Sequence, residues 1–260
     1  MRLKHFLLSA FLLSALAGGV QAQHTQVIAH RGFWDAIGSA QNSIAALQKA
    51  DSIGCYGSEV DVWLTSDNQL VVNHDDTFQG VTFQEARAEE CTALRLGNGE
   101  RVPTLRQYLE AAGRLKTRLI LELKPHKTAG QETRAIEGIV RMVNELGVEA
   151  RTEYITFSAH AAREFVRLAP KGTPVYYLNG DAAPRELKAW GCAGADYHID
   201  VFRKHPEWIK ECHDLGMKVN VWTVNGEDDM RWLIGQRVDF ITTNAPVRLQ
   251  KVLGEVAALE

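Results

Sequence analysis

The sequence has neither an excess of basic residues nor a cysteine pair spaced as a metal or redox motif. Its 29 lysines and arginines are outnumbered by 32 aspartates and glutamates, and a net charge of -3 does not indicate a nucleic-acid partner. Cys55, Cys91, Cys192 and Cys212 form no C-x-x-C pair, which disfavours a zinc or redox motif. In an oxidising compartment they allow about three disulfide pairings, and buried free thiols fit the sequence equally well.

Only one apolar run is long, and it lies at the amino terminus. Residues 1–22 have a basic start, an apolar run at 6–20 and small residues at the end. The run is shorter than the roughly 20 residues of a membrane span, and the pattern is typical of a secretory signal peptide cut after Ala22. We therefore predict a secreted or periplasmic protein in which residues 23–260 form a single domain, with an uncleaved anchor as the alternative.

Strand-like and helix-like segments alternate along the rest of the chain. Eight apolar, often β-branched runs predict strands, at 26–30, 58–64, 118–124, 153–158, 174–179, 195–199, 218–224 and 238–243. Segments with helical spacing lie between most of them, and Gly54 and Gly147 end two of these helices. Eight such units in 260 residues favour an α/β fold of the TIM (β/α)8 barrel type over a doubly wound open sheet.

One stretch interrupts this alternation. A further strand-like piece follows the second strand at 69–74, and residues 75–103 are polar and irregular. The next helix begins near Thr104. We interpret 75–103 as a small insertion between the second barrel strand and its helix, because no linker or low-complexity tract marks a second domain.

Carboxylates occur inside two predicted strands that a parallel barrel would bury on both faces. Glu59 and Asp61 are two residues apart and share one side of their strand, as do Glu122 and Lys124 on theirs. Facing the barrel axis, such charges are costly unless they are compensated. Ion pairs with Arg31 and Lys124 are one way to compensate these carboxylates. A divalent cation that binds Glu59, Asp61 and Glu122 together is the other. An all-oxygen ligand set favours Ca²⁺ or Mg²⁺ over zinc, so we predict a metal site at Glu59, Asp61 and Glu122.

Two histidines end strand-like runs where the mouth of the barrel should lie. His30 follows the first strand, and His74 follows the piece at 69–74. Imidazole exchanges protons near neutral pH, so a pair of them beside carboxylates suits general acid–base catalysis, with transition-metal ligation as the alternative. With Arg31 and Lys124 as fixed cations, this mouth suits an anionic substrate such as a phosphodiester.

The sequence resembles the glycerophosphodiester phosphodiesterase family from about 27 to 246. The similar segments are "AHRG" (29–32), "SEVDVWLTSDNQLVVNHDDT" (58–77), "VPTLRQYLEA" (102–111), "LILELKP" (119–125), "VNVWTVN" (219–225) and "VDFITTNAP" (238–246). The resemblance implies a TIM barrel with a small insertion after the second strand. It also implies Ca²⁺ or Mg²⁺ on Glu59, Asp61 and Glu122, acid–base catalysis by His30 and His74, and substrate binding by Arg31, Lys124 and Trp222. The implied reaction splits glycerophosphodiesters into glycerol 3-phosphate and an alcohol, although Trp222 could equally be a core tryptophan.

Three departures from the family pattern lie outside the metal and histidine sets. Gln41, Asn42 and Ser43 stand where the family commonly has Glu-Asn-Thr, and "FQGVTF" follows "HDDT". Thr243 and Asn244 replace an aspartate that often precedes the final proline. These differences bear on the substrate more than on the chemistry, and we predict that the divergent insertion shapes the space for the leaving group.

Two other functions compete with hydrolysis of small glycerophosphodiesters. A phospholipase-type enzyme acting on intact lipids would need an apolar rim, whereas the insertion carries Phe78, Val81 and Phe83 in a mostly polar segment. A non-catalytic protein that binds phosphorylated ligands would not need a pair of histidines for proton transfer. We therefore predict an enzyme with a small-molecule phosphodiester substrate, no nucleic-acid partner and no stable membrane insertion after signal cleavage.

Overall fold

Eight parallel strands close into a barrel in the computed structural model, which describes residues 25–259. The strands are β1 (Gln26–Ala29), β2 (Gly57–Leu64), β3 (Leu70–Val72), β4 (Thr77–Phe78), β5 (Val81–Thr82), β6 (Arg118–Leu123), β7 (Thr152–Thr156), β8 (Val175–Tyr177), β9 (Gly194–His198), β10 (Lys218–Trp222) and β11 (Phe240–Thr243). The barrel consists of β1, β2 and β6 to β11, and β1 closes the ring by pairing with both β2 and β11. The predicted TIM barrel is confirmed.

Helices cover the outside of the barrel. They are α1 (Ile44–Ser52), α2 (Ala88–Ala93), α3 (Leu105–Ala112), α4 (Ala129–Glu145), α5 (Ala159–Leu168), α6 (Pro184–Trp190), α7 (Ile199–Lys204), α8 (Glu207–Asp214), α9 (Glu227–Gly235) and α10 (Pro246–Ala257). Side-chain oxygens of Ser43, Thr104, Thr128 and Ser158 cap four of them by accepting a backbone N–H of the first turn. The polar residues that precede these helical runs therefore fix where each helix starts.

Alternation along the strands separates two cores. Val60 and Val62 of β2 belong to the large core between the strands and the surrounding helices. Ile28, Ile120 and Phe240 belong to a smaller core inside the barrel. Because successive side chains of a strand point to opposite faces, Glu59 and Asp61 are directed into the barrel interior, as the sequence predicted.

The insertion is more ordered than its composition suggested. β3 pairs antiparallel with the end of β2, β4 and β5 form a hairpin, and α2 follows them. A third apolar cluster holds this segment on the barrel, formed by Trp63, Val71, Phe83, Cys91, Leu96 and Val102. The segment is therefore a small packed cap on one side of the mouth.

The four cysteines contribute to packing. Cys55, Cys91, Cys192 and Cys212 are all buried, and each is a free thiol. Of the two possibilities that the sequence left open, the structure has the free thiols. Burial raises the pKa of Cys55 to about 12, so this thiol stays protonated at neutral pH.

The predicted signal peptide at residues 1–22 lies outside the described residues, so it stays a prediction. Within residues 25–259, none of the helices has the length and hydropathy needed to cross a bilayer.

A close approach of two backbones generates a stability prediction. Gly194 of β9 lies beside Lys218 of β10, and a Cβ there would lie 2.0 Å from the Lys218 carbonyl oxygen. We expect Gly194→Ala to lower the free energy of unfolding by about 1–3 kcal/mol, because the strands must separate. Chemical denaturation would measure this, with Gly254→Ala as control. Gly254 lies in α10 with open space around it, so alanine should be neutral or stabilising there. Equal stability of wild type and Gly194→Ala would contradict the packing.

Candidate active site at the barrel mouth

A cavity of about 110 Å³ at the mouth of the barrel collects the predicted site residues. Seven of the eight line it: His30, Arg31, Glu59, His74, Glu122, Lys124 and Trp222. The eighth, Asp61, is 1% exposed and lies against the Lys124 ammonium, with 3.2 Å between Asp61 Oδ1 and Lys124 Nζ. The structure thus places all eight at a single site.

Three buried carboxylates form the centre of this site. Glu59, Asp61 and Glu122 each offer an oxygen, and these oxygens lie within 4.8 Å of one another. Glu59 Oε1 is buried and has no hydrogen-bond partner within residues 25–259. Clustered carboxylate oxygens, one of them unsatisfied, match the hard, all-oxygen ligation of Ca²⁺ or Mg²⁺. The residues therefore fit a divalent cation.

Two basic side chains compensate part of the carboxylate charge. Lys124 Nζ lies 2.7 Å from Glu122 Oε1 as well as 3.2 Å from Asp61 Oδ1. Arg31 Nε lies 3.8 Å from Asp61 Oδ2, an oxygen that also accepts a hydrogen bond of 2.8 Å from Asn42 Nδ2. Asp61 is therefore well compensated, whereas none of these side-chain contacts involves Glu59.

The pKa values follow this unequal compensation. Burial raises the pKa of Glu59 well above its usual value, and the charges of Asp61 and Glu122 add to the rise. Burial and Asp61 raise the pKa of Glu122 to about 7. Burial acts in the same direction on Asp61, but Lys124 and the Asn42 amide, with other cations nearby, hold its pKa below the usual range. Further positive charge at the cluster would favour ionisation of both glutamates.

A left-handed turn after β1 directs a backbone donor at the cluster. Arg31 has φ 56° and Gly32 has φ 77°, and the Arg31 N–H donates to Glu59 Oε2 at 2.7 Å. A Cβ at Gly32 would lie 2.7 Å from Ala46 Cβ, so only glycine fits there. Gln41, at a position where the family commonly carries a glutamate, accepts from Arg31 Nη1 at 2.6 Å. These contacts therefore fix both the backbone N–H and the guanidinium group of Arg31.

Asn244 sets the orientation of His30. Its Oδ1 accepts from Trp34 Nε1 at 3.1 Å and lies 2.7 Å from His30 Nδ1. Because that oxygen is an acceptor, His30 Nδ1 carries the proton, and Nε2 is left as the basic nitrogen, 4.0 Å from Glu59 Oε2. Burial, with the charge of Arg31, lowers the pKa of His30 to about 4. His30 is thus a neutral imidazole at pH 7.

His74 reaches the mouth by a different route from the one we predicted. The prediction treated it as the end of a strand that runs towards the mouth, but β3 is antiparallel to β2, so its carboxyl end points the other way. Among the described residues, Trp63 and Leu64 of β2 pair with β3 and with no barrel strand. β2 therefore extends beyond its barrel partners, and β3 carries the chain back to the mouth.

A carboxylate next in sequence orients His74. His74 Nδ1 lies 2.7 Å from Asp75 Oδ1, which accepts a hydrogen bond from it. The His74 Nε2 is therefore the ring nitrogen left to exchange a proton with a ligand. Burial lowers the pKa of His74, while Asp61 and Asp75 act to raise it. Asp75 gives His74 a carboxylate partner at Nδ1, where His30 has the neutral amide oxygen of Asn244.

Trp222 forms part of the cavity wall rather than of the core between strands and helices. Its Nε1 donates to the backbone carbonyl of Asp196 at 2.9 Å, and its ring meets Phe157 edge-on, with 5.5 Å between ring centroids. The indole N–H is therefore occupied, and the ring itself is what Trp222 offers to a ligand.

A wider groove of about 450 Å³ adjoins the cavity, and His74 lines both. The other lining residues come from the loop after β1 and from the insertion: Trp34, Ser39, Ala40, Gln41, Asn42, Asn73, Asp75, Phe78, Leu96 and Gly97. The insertion thus forms one side of the space next to His74.

Asp196 also lines the cavity but is not among the site residues predicted from the sequence. The signal was the one that identified Glu59, namely a carboxylate in the middle of a strand that should be buried on both faces. Asn244, noted only as a departure from the family pattern, is the partner of His30.

Comparisons with known proteins identify the family of this chain. The family model described as "Glycerophosphoryl diester phosphodiesterase family" matches residues 30–248. A glycerophosphodiester phosphodiesterase of Caldanaerobacter subterraneus is 31% identical over 240 residues, covering 86% of this chain and 96% of that protein.

Solved structures show the same similarity. The crystal structure of a glycerophosphodiester phosphodiesterase from Parabacteroides distasonis is 50% identical, with a TM-score of 0.89, and covers 90% of this chain and 99% of that one. An Oleispira antarctica phosphodiesterase in complex with the product sn-glycerol-3-phosphate is 26% identical, with a TM-score of 0.76, and covers 89% of this chain and 97% of that one. With its barrel, acidic cluster and matched length, the chain belongs to the glycerophosphoryl diester phosphodiesterase family.

Proposed function

We propose that this protein is a metal-dependent phosphodiesterase that hydrolyses glycerophosphodiesters to glycerol 3-phosphate and an alcohol. The observation that carries the proposal is one cavity lined by two imidazoles, two fixed cations and a buried carboxylate cluster. Family membership and the product found in the Oleispira antarctica relative support the substrate class.

Glu59, Asp61 and Glu122 would hold the cation, Ca²⁺ or Mg²⁺. When bound, it would stabilise negative charge on the phosphoryl oxygens. Arg31 and Lys124 line the same cavity and would contact those oxygens too, orienting the phosphodiester for attack.

The environments of the two histidines suggest different roles. His30 is neutral at pH 7 and has Nε2 unprotonated, so it takes the proton of the nucleophile. His74 lies between the cavity and the groove and is flanked by Asp61 and Asp75. We assign to it the protonation of the leaving alkoxide, with the alcohol portion of the substrate in the groove.

Soluble diesters suit this mouth better than intact lipid does. Among the described residues, the large apolar side chains that are exposed are Ile37, Val166, Val247 and Leu259. These scattered positions do not make an extended apolar rim. We therefore propose that the substrate is a small molecule rather than a lipid in a membrane surface. We also propose that the predicted signal peptide directs export of the protein from the cytoplasm.

The proposed reaction can be tested directly. We expect turnover of glycerophosphocholine and glycerophosphoethanolamine to yield glycerol 3-phosphate and the free amino alcohol, to stop with EDTA and to return with added Ca²⁺ or Mg²⁺. Product analysis by mass spectrometry would check this. Inactivity on all diesters, with phosphate binding retained, would instead indicate a binding protein, and activity confined to phospholipid vesicles would indicate a phospholipase.

The acid–base assignment predicts severe effects at two histidines. His30→Ala and His74→Ala should each lower kcat by a factor of about 10²–10⁴, because general acid–base catalysis contributes that much. His205→Ala is the matched control, since His205 contacts Glu207 and Trp208 and does not line the cavity. Steady-state kinetics would measure the rates, and circular dichroism would verify folding. A near-normal kcat in either cavity variant would refute its role.

The raised carboxyl pKa values predict how ion binding depends on pH. Without an ion, folded Glu59 and Glu122 keep protons that the unfolded chain releases above about pH 4.3. Their stabilising contribution is therefore greatest below that pH and is lost as pH rises through about 7 for Glu122. An ion must displace these protons, so Ca²⁺ or Mg²⁺ should raise the thermal midpoint more at pH 8 than at pH 5.5.

A single ligand substitution tests the same site. We expect Glu122→Gln to weaken divalent-ion affinity roughly tenfold or more at pH 8, as measured by isothermal titration calorimetry. Glu110→Gln, on the exposed face of α3, is the control and should leave the affinity unchanged. An unaltered affinity in Glu122→Gln would place the ion elsewhere.

A further inference from the structure

A carboxyl group with no assigned role lies inside the barrel. Asp196 is in the middle of β9, and its neighbours Ala195 and Tyr197 belong to the outer core. Alternation therefore directs Asp196 inwards, where it is 1% exposed and lines the same cavity as the predicted catalytic residues. In register it is level with Asn220, two residues below Trp222 on β10, so it lies deeper than the mouth.

The hydrogen-bonding capacity of Asp196 is not used up by the protein. Its Oδ1 is buried and has no hydrogen-bond partner within residues 25–259. The nearby amide of Asn220 donates to Thr242 Oγ1 at 2.9 Å and accepts from it at 3.2 Å. Unsatisfied buried polar atoms are rare in folded proteins and call for a partner.

The surroundings of Asp196 make it a donor as well as an acceptor. Burial, with the charges of Glu122 and Glu153, raises the pKa of Asp196 to about 8, although the Asn220 amide acts against this. At neutral pH the group is therefore mostly a neutral carboxylic acid, able to exchange hydrogen bonds with a hydroxyl group in either direction.

Apart from Thr223 and Thr242, the cavity wall around Asp196 is largely apolar. Ile155, Phe157, Leu178 and the ring of Trp222 line it, and the Trp222 N–H is already bonded to the Asp196 carbonyl. A short polyol would place its C–H groups against this wall and a hydroxyl at Asp196, while its phosphate lies at Arg31 and Lys124. An alkyl chain in place of the polyol would leave the Asp196 carboxyl without a hydrogen-bond partner. This cost would make the site select the polyol over the alkyl chain.

We propose that Asp196 is a specificity-determining residue that binds a free hydroxyl of the glycerol moiety, so that glycerol points into the barrel and the leaving alcohol points into the groove beside His74. The inference rests on the proposed function and adds to it the orientation of the substrate and the residue that recognises its polyol end.

The test compares two diesters that share a head group. Glycerophosphocholine has free glycerol hydroxyls, and propyl phosphocholine has none. Asp196→Val removes the carboxyl at similar volume and suits a strand. We expect it to lower kcat/KM for glycerophosphocholine by about tenfold to hundredfold, to change that for propyl phosphocholine by less than about threefold, and to keep the thermal midpoint.

The conservative variant Asp196→Asn and the wild-type enzyme are the controls for this test. Asp196→Asn retains a donor and an acceptor and should stay within about threefold of wild type on both diesters. Equal losses on both diesters in Asp196→Val, or no loss on either, would overturn the inference while leaving the proposed function intact. Failure of the wild type on both diesters would overturn the function and the inference with it. If Asp196→Val does not fold, Asp196→Ala replaces it with the same expected results.

Discussion

Repulsion among three buried carboxylates is the constraint on which the mouth of this barrel depends. Glu59, Asp61 and Glu122 bring oxygens within 4.8 Å of one another at positions that are almost inaccessible to water. Lys124 compensates Asp61 and Glu122, whereas burial leaves Glu59 with a strongly raised pKa. A cluster built only for stability would be better replaced by apolar side chains of similar size. The arrangement therefore fits the cation site that we propose.

The fold supports this cluster by giving each strand two chemically distinct faces. On β2 the outward side chains, Val60 and Val62, join the core beneath the helices, while the inward ones carry charge. The length of β2 also matters, because its final residues pair with β3 and return the chain to His74. The turn after β1 provides Arg31 and a backbone donor for Glu59. Packing and chemistry are thus specified by alternate residues of the same short segments.

Much of this could be predicted from the sequence, because periodicity and strand polarity are local signals. All eight barrel strands correspond to predicted runs, and the charges within β2 and β6 indicated the inward face. Three features depend on contacts that no local pattern encodes. The antiparallel direction of β3 is set by packing against β2, the Asn244 contact joins residues 214 positions apart, and the order of the insertion comes from its own apolar cluster. Asp196 carried the same local signal as Glu59, but its strand has no second charge to draw attention to it.

Crystallography can show whether a divalent cation occupies the carboxylate cluster, as we propose. Crystals of the protein grown with Mn²⁺ as a substitute for Mg²⁺ or Ca²⁺ would be measured for anomalous scattering. We expect a strong peak bounded by oxygens of Glu59, Asp61 and Glu122, with Lys124 displaced from at least one of its carboxylate contacts. A peak elsewhere, or no peak while Asp61 and Glu122 remain paired to Lys124, would show that this cluster is not a cation site.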